Sequence, residues 1–406
     1  AGNGGADAHE QTAGGQLSGD GQVDVANPNS PTTQEMANQA AYAAAFPNLI
    51  YADGRYYGYR LTKSLHFNED ASRSDATTNK TTWTIGTGWE PIGVQNVKPF
   101  LDDFDGRGHT ISNLFINRTS DQVGLFGYSA ISGGRFKIVI INLGMLTPNI
   151  TGGNDVAIGT LSGSVAGGAI IKNCYVSGGT ISGGNSSRTG GIAGVLFSAG
   201  AIQESYVFGV TIRGGNGAHV GGLTGHVQGS GIIPASVFDS YVTGGSQTGG
   251  TSARVGGLAG SLRGTADFCY VFKNTSTGGT SSNVGSLVGT QERNSSGASA
   301  IYVCYAGGQN YSNIRGSHTG NSVQTIVTNC YYEAAATSGA ARTASDLKTP
   351  TAYNTPADNL YKHWNLNRLS LSIDRWDFGS SSEYLVLKVD FNKCSGTADD
   401  ITRQRN

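Results

Sequence analysis

Val220-Gly221-Gly222-Leu223-Thr224-Gly225 returns 35 residues later as Val255-Gly256-Gly257-Leu258-Ala259-Gly260. Looser copies stand at Ile158–Gly163, Thr189–Gly194 and Val284–Gly289, and a shortened one at Val123–Gly127. The closing glycines fall at 127, 163, 194, 225, 260 and 289, in steps of 29 to 36. Between these copies runs a second motif, apolar-x-x-Cys/Ser-Tyr-apolar. Its tyrosines are Tyr175, Tyr206, Tyr241, Tyr270, Tyr305 and Tyr331. A fixed motif with variable steps means that insertions fall in loops, which is how a solenoid behaves. Neither motif has helical spacing. Both are short β-branched or aromatic runs bounded by Gly, Asn and Ser, the pattern of strands. Stacking coil on coil gives each strand two parallel neighbours about 4.8 Å away, so six coils would span about 29 Å. The expected fold is all-β: a right-handed parallel β-helix, or β-solenoid, with the hand taken from the preference of parallel crossovers.

The composition agrees. Of 406 residues 62 are Gly, roughly twice the ordinary share. Charged residues make up 14 % and the formal net charge is −1. So balanced a chain carries no electrostatic footprint for nucleic acid or an anionic membrane. No run approaches the ~20 apolar residues of a membrane helix. The chain begins at Ala1 without Met, from which export is expected, to an extracellular or cell-surface location.

Strand alternation sets which way each side chain faces. The Cys/Ser position and the apolar residue two places on share one face, and Tyr lies on the other. Small Cys or Ser plus Val suits the cramped interior of a coil. Cys174, Cys269, Cys304 and Cys330 then read as an inward ladder of thiols, with a disulfide from Cys304 to Cys269 or Cys330 on an adjacent coil as the alternative, and Cys394 lies outside the ladder. A bend is expected at the residue before, often polar: Asn173, Glu204, Asp239 and Asn329. The six tyrosines would form an outward strip. It would serve as a platform for surface glycans, for a partner or for a second copy of the chain. Alternatively the chain's own terminal segments cover it, or the parity is reversed.

Around the repeats the expected organisation is as follows. Residues 1–33 form a polar, Gly-rich arm whose extended stretch, centred on Val23 and Val25, could add a strand to a neighbouring subunit. Residues 34–122 hold a capping helix, predicted over Gln34–Phe46, and the lead-in coils. Residues 123–335 hold the repeat coils and 336–406 the closing segment and tail.

Val-Gly-Gly-Leu-x-Gly alternating with Asn-Cys-Tyr segments resembles the GLUG-repeat proteins, found in large bacterial adhesins and other surface proteins. Trp89–Gly127 is similar to the usual opening of such a domain, and the run from Trp376-Asp377-Phe378 to Tyr384–Lys388 to its usual close. The resemblance covers roughly residues 42–390 and implies a surface or extracellular β-solenoid with no catalytic residues. The expected function is therefore structural, an adhesin or a self-assembling filament subunit. A carbohydrate-binding or polysaccharide-cleaving β-helix is the alternative.

Candidate chemistry is sparse. Asp102, Asp103, Asp105 and His109 are the densest ionisable group. Paired carboxylates could act as acid and base on a glycan, or hold Ca²⁺. Asp105-Gly106 is equally a plain turn. The seven His show no metal-ligand spacing, and His219 and His226 read as loop residues flanking one Gly-Gly-Leu strand. No catalytic residue, metal ligand or cofactor is expected, and self-association is the expected partnership.

Overall fold

The computed structural model describes residues 58–67, 86–119, 122–131, 137–229, 234–293, 299–309, 311–319, 325–328, 330–335, 341–342, 347, 376–377 and 386–387. The N-terminal arm, with Val23 and Val25, the capping helix and Cys394 lie outside them.

Each coil carries five short strands. In one they are Ser236–Phe238, Tyr241–Thr243, Ser246–Gly249, Arg254–Gly256 and Ala259–Arg263, and the next begins at Thr265–Asp267. Strands at the same coil position pair in parallel, giving five sheets of 9, 10, 6, 6 and 7 strands in that order around the coil. The chain is thus an all-β parallel β-solenoid of about six turns. The stack runs beyond the legible repeats. Tyr59–Arg60 and Phe104–Asp105 extend the first sheet at one end, and Ala341–Arg342 extends the second at the other.

The interior is one apolar column. Ile111, Met145, Val176, Val207, Val242, Val271 and Ala306 are register partners on the second sheet, all buried. Each large apolar side chain so placed contributes about 1.5–3 kcal/mol. The Gly-Gly-Leu motif explains itself here. Val220 and Leu223 enter the column. A Cβ on Gly221 would lie 2.1 Å from the Thr224 carbonyl oxygen, and one on Gly225 would lie 2.4 Å from the Thr189 backbone nitrogen. The fourth and fifth sheets therefore meet backbone against backbone, and only glycine allows the approach.

The bend before the Cys/Ser position is a column of left-handed residues, Asn173, Glu204, Asp239, Phe268 and Val303, continued by Asn142 before Leu143, with φ between 45° and 56°. The small residue that follows holds the corner. Its hydroxyl or thiol donates to the carbonyl two residues back, as Ser205 Oγ does to Gln203 O at 2.6 Å and Cys269 Sγ to Asp267 O at 3.2 Å. It also accepts a backbone N–H from the same position of the preceding coil, as Ser205 Oγ does from Cys174 and Ser240 Oγ from Ser205. Cys and Ser interchange because either supplies both contacts. Cys174, Cys269, Cys304 and Cys330 are buried free thiols. A second polar column stands between the third and fourth sheets. There Asn154 Oδ1 accepts from Asn185 N, Asn185 Oδ1 from Asn216 N, and Asn216 Oδ1 from Thr251 N, at 2.8–2.9 Å.

Candidate functional site

The tyrosines face outward from the interior column, in register from Tyr175 to Tyr331. They are not exposed. Tyr206, Tyr241, Tyr270 and Tyr305 are at most 1 % accessible and Tyr175 is 5 %. They form a second apolar cluster, separate from the interior, with Phe268, Phe272, Val303 and Leu347, and with Tyr331 partly buried against it. Consecutive rings stack at 4.8–5.3 Å, within 12° of parallel. Of the two alternatives, the buried rings agree with the one in which the chain itself covers the strip. The column is covered by the chain itself, in part by Leu347 from beyond the last coil. The physical reason is area: five neighbouring aromatic rings are too large an apolar strip to leave in water. The left-handed corner reflects the cover, changing from Asn142, Asn173, Glu204 and Asp239 to Phe268 and Val303 where the apolar cluster needs packing.

Asp102, Asp103, Asp105 and His109 do not form a ligand group. Asp105 is buried at the end of a polar ladder, accepting from Arg107 N at 2.8 Å and Asn142 Nδ2 at 3.1 Å, while Asn142 Oδ1 accepts from Asn173 Nδ2 at 2.7 Å. Burial raises its pKa against the pull of these bonds. Its work is to hold a corner.

Among the described residues, the one group of three or more metal-ligating side chains is His219, His226 and Glu292. Neither histidine is a loop residue. His219 begins the strand His219–Gly221 on the fourth sheet, and His226 lies within Thr224–Gln228 on the fifth. Both point outward, because Val220 and Val227 beside them fill the interior. The tight Gly222-Leu223 turn folds the two outer faces together, so the rings meet at 4.8 Å. Glu292 follows the strand Val288–Gln291, two coils further along the same sheet. Ser261, the register partner of His226 in the intervening coil, is small enough to let the Glu292 side chain pass. Glu292 Oε2 lies 3.0 Å from Arg263 Nη2 and 3.7 Å from His226 Nε2. Arg254 Nη1 stands 2.6 Å from His219 Nε2. Arginine only donates, so Nε2 accepts and the ring proton sits on Nδ1.

Charge follows from these contacts. Burial, with His226 and Arg254 nearby, lowers the His219 pKa to about 3, so the ring is neutral at physiological pH. Burial opposes ionisation of Glu292, but His226 and Arg263 outweigh it and bring the carboxyl down to about 2. The cluster opens onto a groove of about 620 Å³ lined by Arg254, Arg263, Thr290, Glu292, Arg293 and Thr319. The sequence does hold a signal for this group. Counted from the closing glycines, His226 stands at the first place after Gly225 and Glu292 at the third place after Gly289. Both places face outward on one sheet.

No protein-family model matches the chain. It is 37 % identical over 133 residues to halomucin of Haloquadratum walsbyi, a stretch that is 30 % of this chain and 1 % of halomucin. The chain thus spans a small part of that relative. A crystal structure of a Bacteroides ovatus protein, provisionally named an immunoglobulin A1 protease, aligns over 82 % of this chain and 86 % of its own, with 19 % identity and a TM-score of 0.44. No inference about activity follows from so distant a likeness. Among the described residues, no helix is long and apolar enough to cross a membrane.

Proposed function

We propose that this chain is a non-catalytic structural solenoid of GLUG-like type, working at the cell surface or outside the cell, where it adheres or self-assembles. The observation that carries the reading is that the repeating residues all do structural work. Val and Leu fill the interior, Cys and Ser hold the corners, Asn columns tie coil to coil, and Tyr is buried in the second cluster. What repeats is cohesion, not chemistry. The identity shared with halomucin supports a surface setting. A solenoid whose coils add by parallel pairing also suits end-to-end association of copies, which gives open filaments when the rotation does not close. The arm residues Val23 and Val25 are then the expected strand given to a neighbouring copy.

The test joins two measurements on the native chain. Brief protease treatment of intact cells should remove it, and electron micrographs of the purified chain at high concentration should show filaments or ordered oligomers. A chain that survives the protease while a known surface protein is shaved, and that stays monomeric at high concentration, would overturn the reading.

A further inference from the structure

We propose that the groove lined by Arg254, Arg263, Thr290, Glu292, Arg293 and Thr319 binds one acidic sugar residue through its carboxylate or sulfate group. The inference goes beyond the structural role proposed above, because the groove would take its ligand whether or not copies of the chain associate.

Charge comes first. Three guanidinium groups share this lining with one carboxylate, in a chain whose formal net charge is −1. The carboxylate is already answered. Glu292 Oε2 accepts from Arg263 Nη2 at 3.0 Å, and His226 Nε2 stands 3.7 Å from it on the other side. Arg254 and Arg293 have no acidic partner among the described residues. The Arg254 side chain bonds only to His219 Nε2, a neutral ring, and only the backbone of Arg293 is bonded, to Thr319. Arg263 Nε is also buried without a partner. Like charges gathered in one place repel, and an anion seated among them relieves the repulsion.

The remaining groups distinguish a sugar from a bare ion. A guanidinium fork matches the paired oxygens of a carboxylate or sulfate. Thr319 Oγ1 accepts from Arg293 N at 3.0 Å, which leaves its hydroxyl hydrogen to donate. Arg263 takes Glu292 Oε2 and leaves Oε1. A free carboxylate oxygen repels a bare anion but accepts from the hydroxyls of a sugar. The groove, about 620 Å³, also has the size of a small-molecule site.

The fold explains why these groups converge. Arg254 and Arg263 point outward, because Val255 and Leu262 beside them fill the interior. They come from one coil, Thr290 to Arg293 from the next, and Thr319 from the one after. The other coils do not repeat the lining: the register partners of Arg254 are His219 and Asn283, and that of Arg263 is Gln228. The cationic groove is thus peculiar to these coils, outside the cohesion that the repeat supplies.

The experiment titrates the full, untagged chain by calorimetry in low salt. The probes are methyl glucuronide, glucose 6-sulfate, neutral methyl glucoside and sodium sulfate. At least one acidic sugar should bind saturably at one site, and which of the two binds identifies the acid group. The neutral glucoside and sodium sulfate should each bind at least roughly tenfold more weakly, as expected for the loss of one charge-assisted contact or of the hydroxyl contacts. Arg254→Gln and Arg293→Gln should each weaken the acidic sugar by a similar factor. Far-UV circular dichroism checks that the variants are folded; Arg293 is exposed, so Arg293→Gln serves should Arg254→Gln not fold. Absence of saturable binding by both acidic sugars overturns the proposal. So does a glucoside or sulfate ion that binds as tightly as they do, or binding that a folded variant leaves unchanged.

Discussion

The ring of Tyr206 lies flat on the ring of Tyr241, centroids 4.9 Å apart and planes 3° from parallel. That spacing is the rise of the solenoid itself. Parallel pairing sets neighbouring coils about 4.8 Å apart, which is also a good stacking distance for aromatic rings. The column ends where the register partner of Tyr175 is Gly144, because the Tyr175 ring fills the space a side chain there would take. The outer column is thus built by the same repeat as the interior, one coil at a time.

A ring taken from the middle of this column should cost more than one taken from its end. Tyr241→Ala leaves a buried hole between two rings and should lower stability by about 3–5 kcal/mol. Tyr331, partly buried at the end of the column, should cost clearly less. Urea unfolding of both variants checks this. Equal losses would mean that the column is not a continuous core.

Leu347 is 1 % exposed against the tyrosine cluster. Leu347→Ala should cost about 2–5 kcal/mol. Leu347→Asp should lift the cover and expose apolar surface, raising the fluorescence of a bound hydrophobic dye. A Leu347→Asp chain that unfolds at the wild-type midpoint with no gain in dye binding would remove the covering role.

Two glycines separate the two reasons for glycine. A Cβ on Gly260 would sit 2.4 Å from the Val220 backbone nitrogen, so Gly260→Ala must push two sheets apart. At Gly209, with φ +63°, there is nothing within 4 Å. Gly209→Ala pays the left-handed penalty alone, about 1–2 kcal/mol. Thermal melts should show a small shift for Gly209→Ala, and a far larger one, or no folded protein, for Gly260→Ala.

The thiol ladder sets an alkaline limit. Burial raises the Cys174 pKa from 9.0 to about 12 and pushes Cys304 well up as well. The unfolded chain therefore loses these protons first. For Cys174 the contribution is fully present below about pH 9 and is lost as pH rises through about 12, by about 1.4 kcal/mol per pH unit within that window. Unfolding midpoints measured from pH 8 upwards should fall accordingly, and Cys174→Ser should fall less steeply. At pH 8 the native chain should not react with a thiol reagent at Cys174, and should react once unfolded.

Much of this architecture was legible in the repeat. The Val-Gly-Gly-Leu-x-Gly and Cys/Ser-Tyr motifs gave strand parity, the bend at Asn173, Glu204 and Asp239, and an interior of Val, Leu and small residues. Those features depend on local alternation and on contacts repeated every coil. Their register is set by the motif itself. The sequence could not say whether the tyrosines meet water. That depends on a residue such as Leu347, which lies outside the period and reaches the column only after the chain has folded back on it.

The histidine cluster shows the same division. Alternation determines that His219, His226 and Glu292 face outward, and it can be counted from the closing glycines. Whether they meet depends on the angle between two sheets and on one small residue, Ser261, in the coil between them. The sequence by itself determined the coil, its facing and its order of strands, because backbone pairing and side-chain period are local. The tertiary structure alone decided which outward faces are buried and which side chains converge, because both turn on distances between residues that the repeat does not relate.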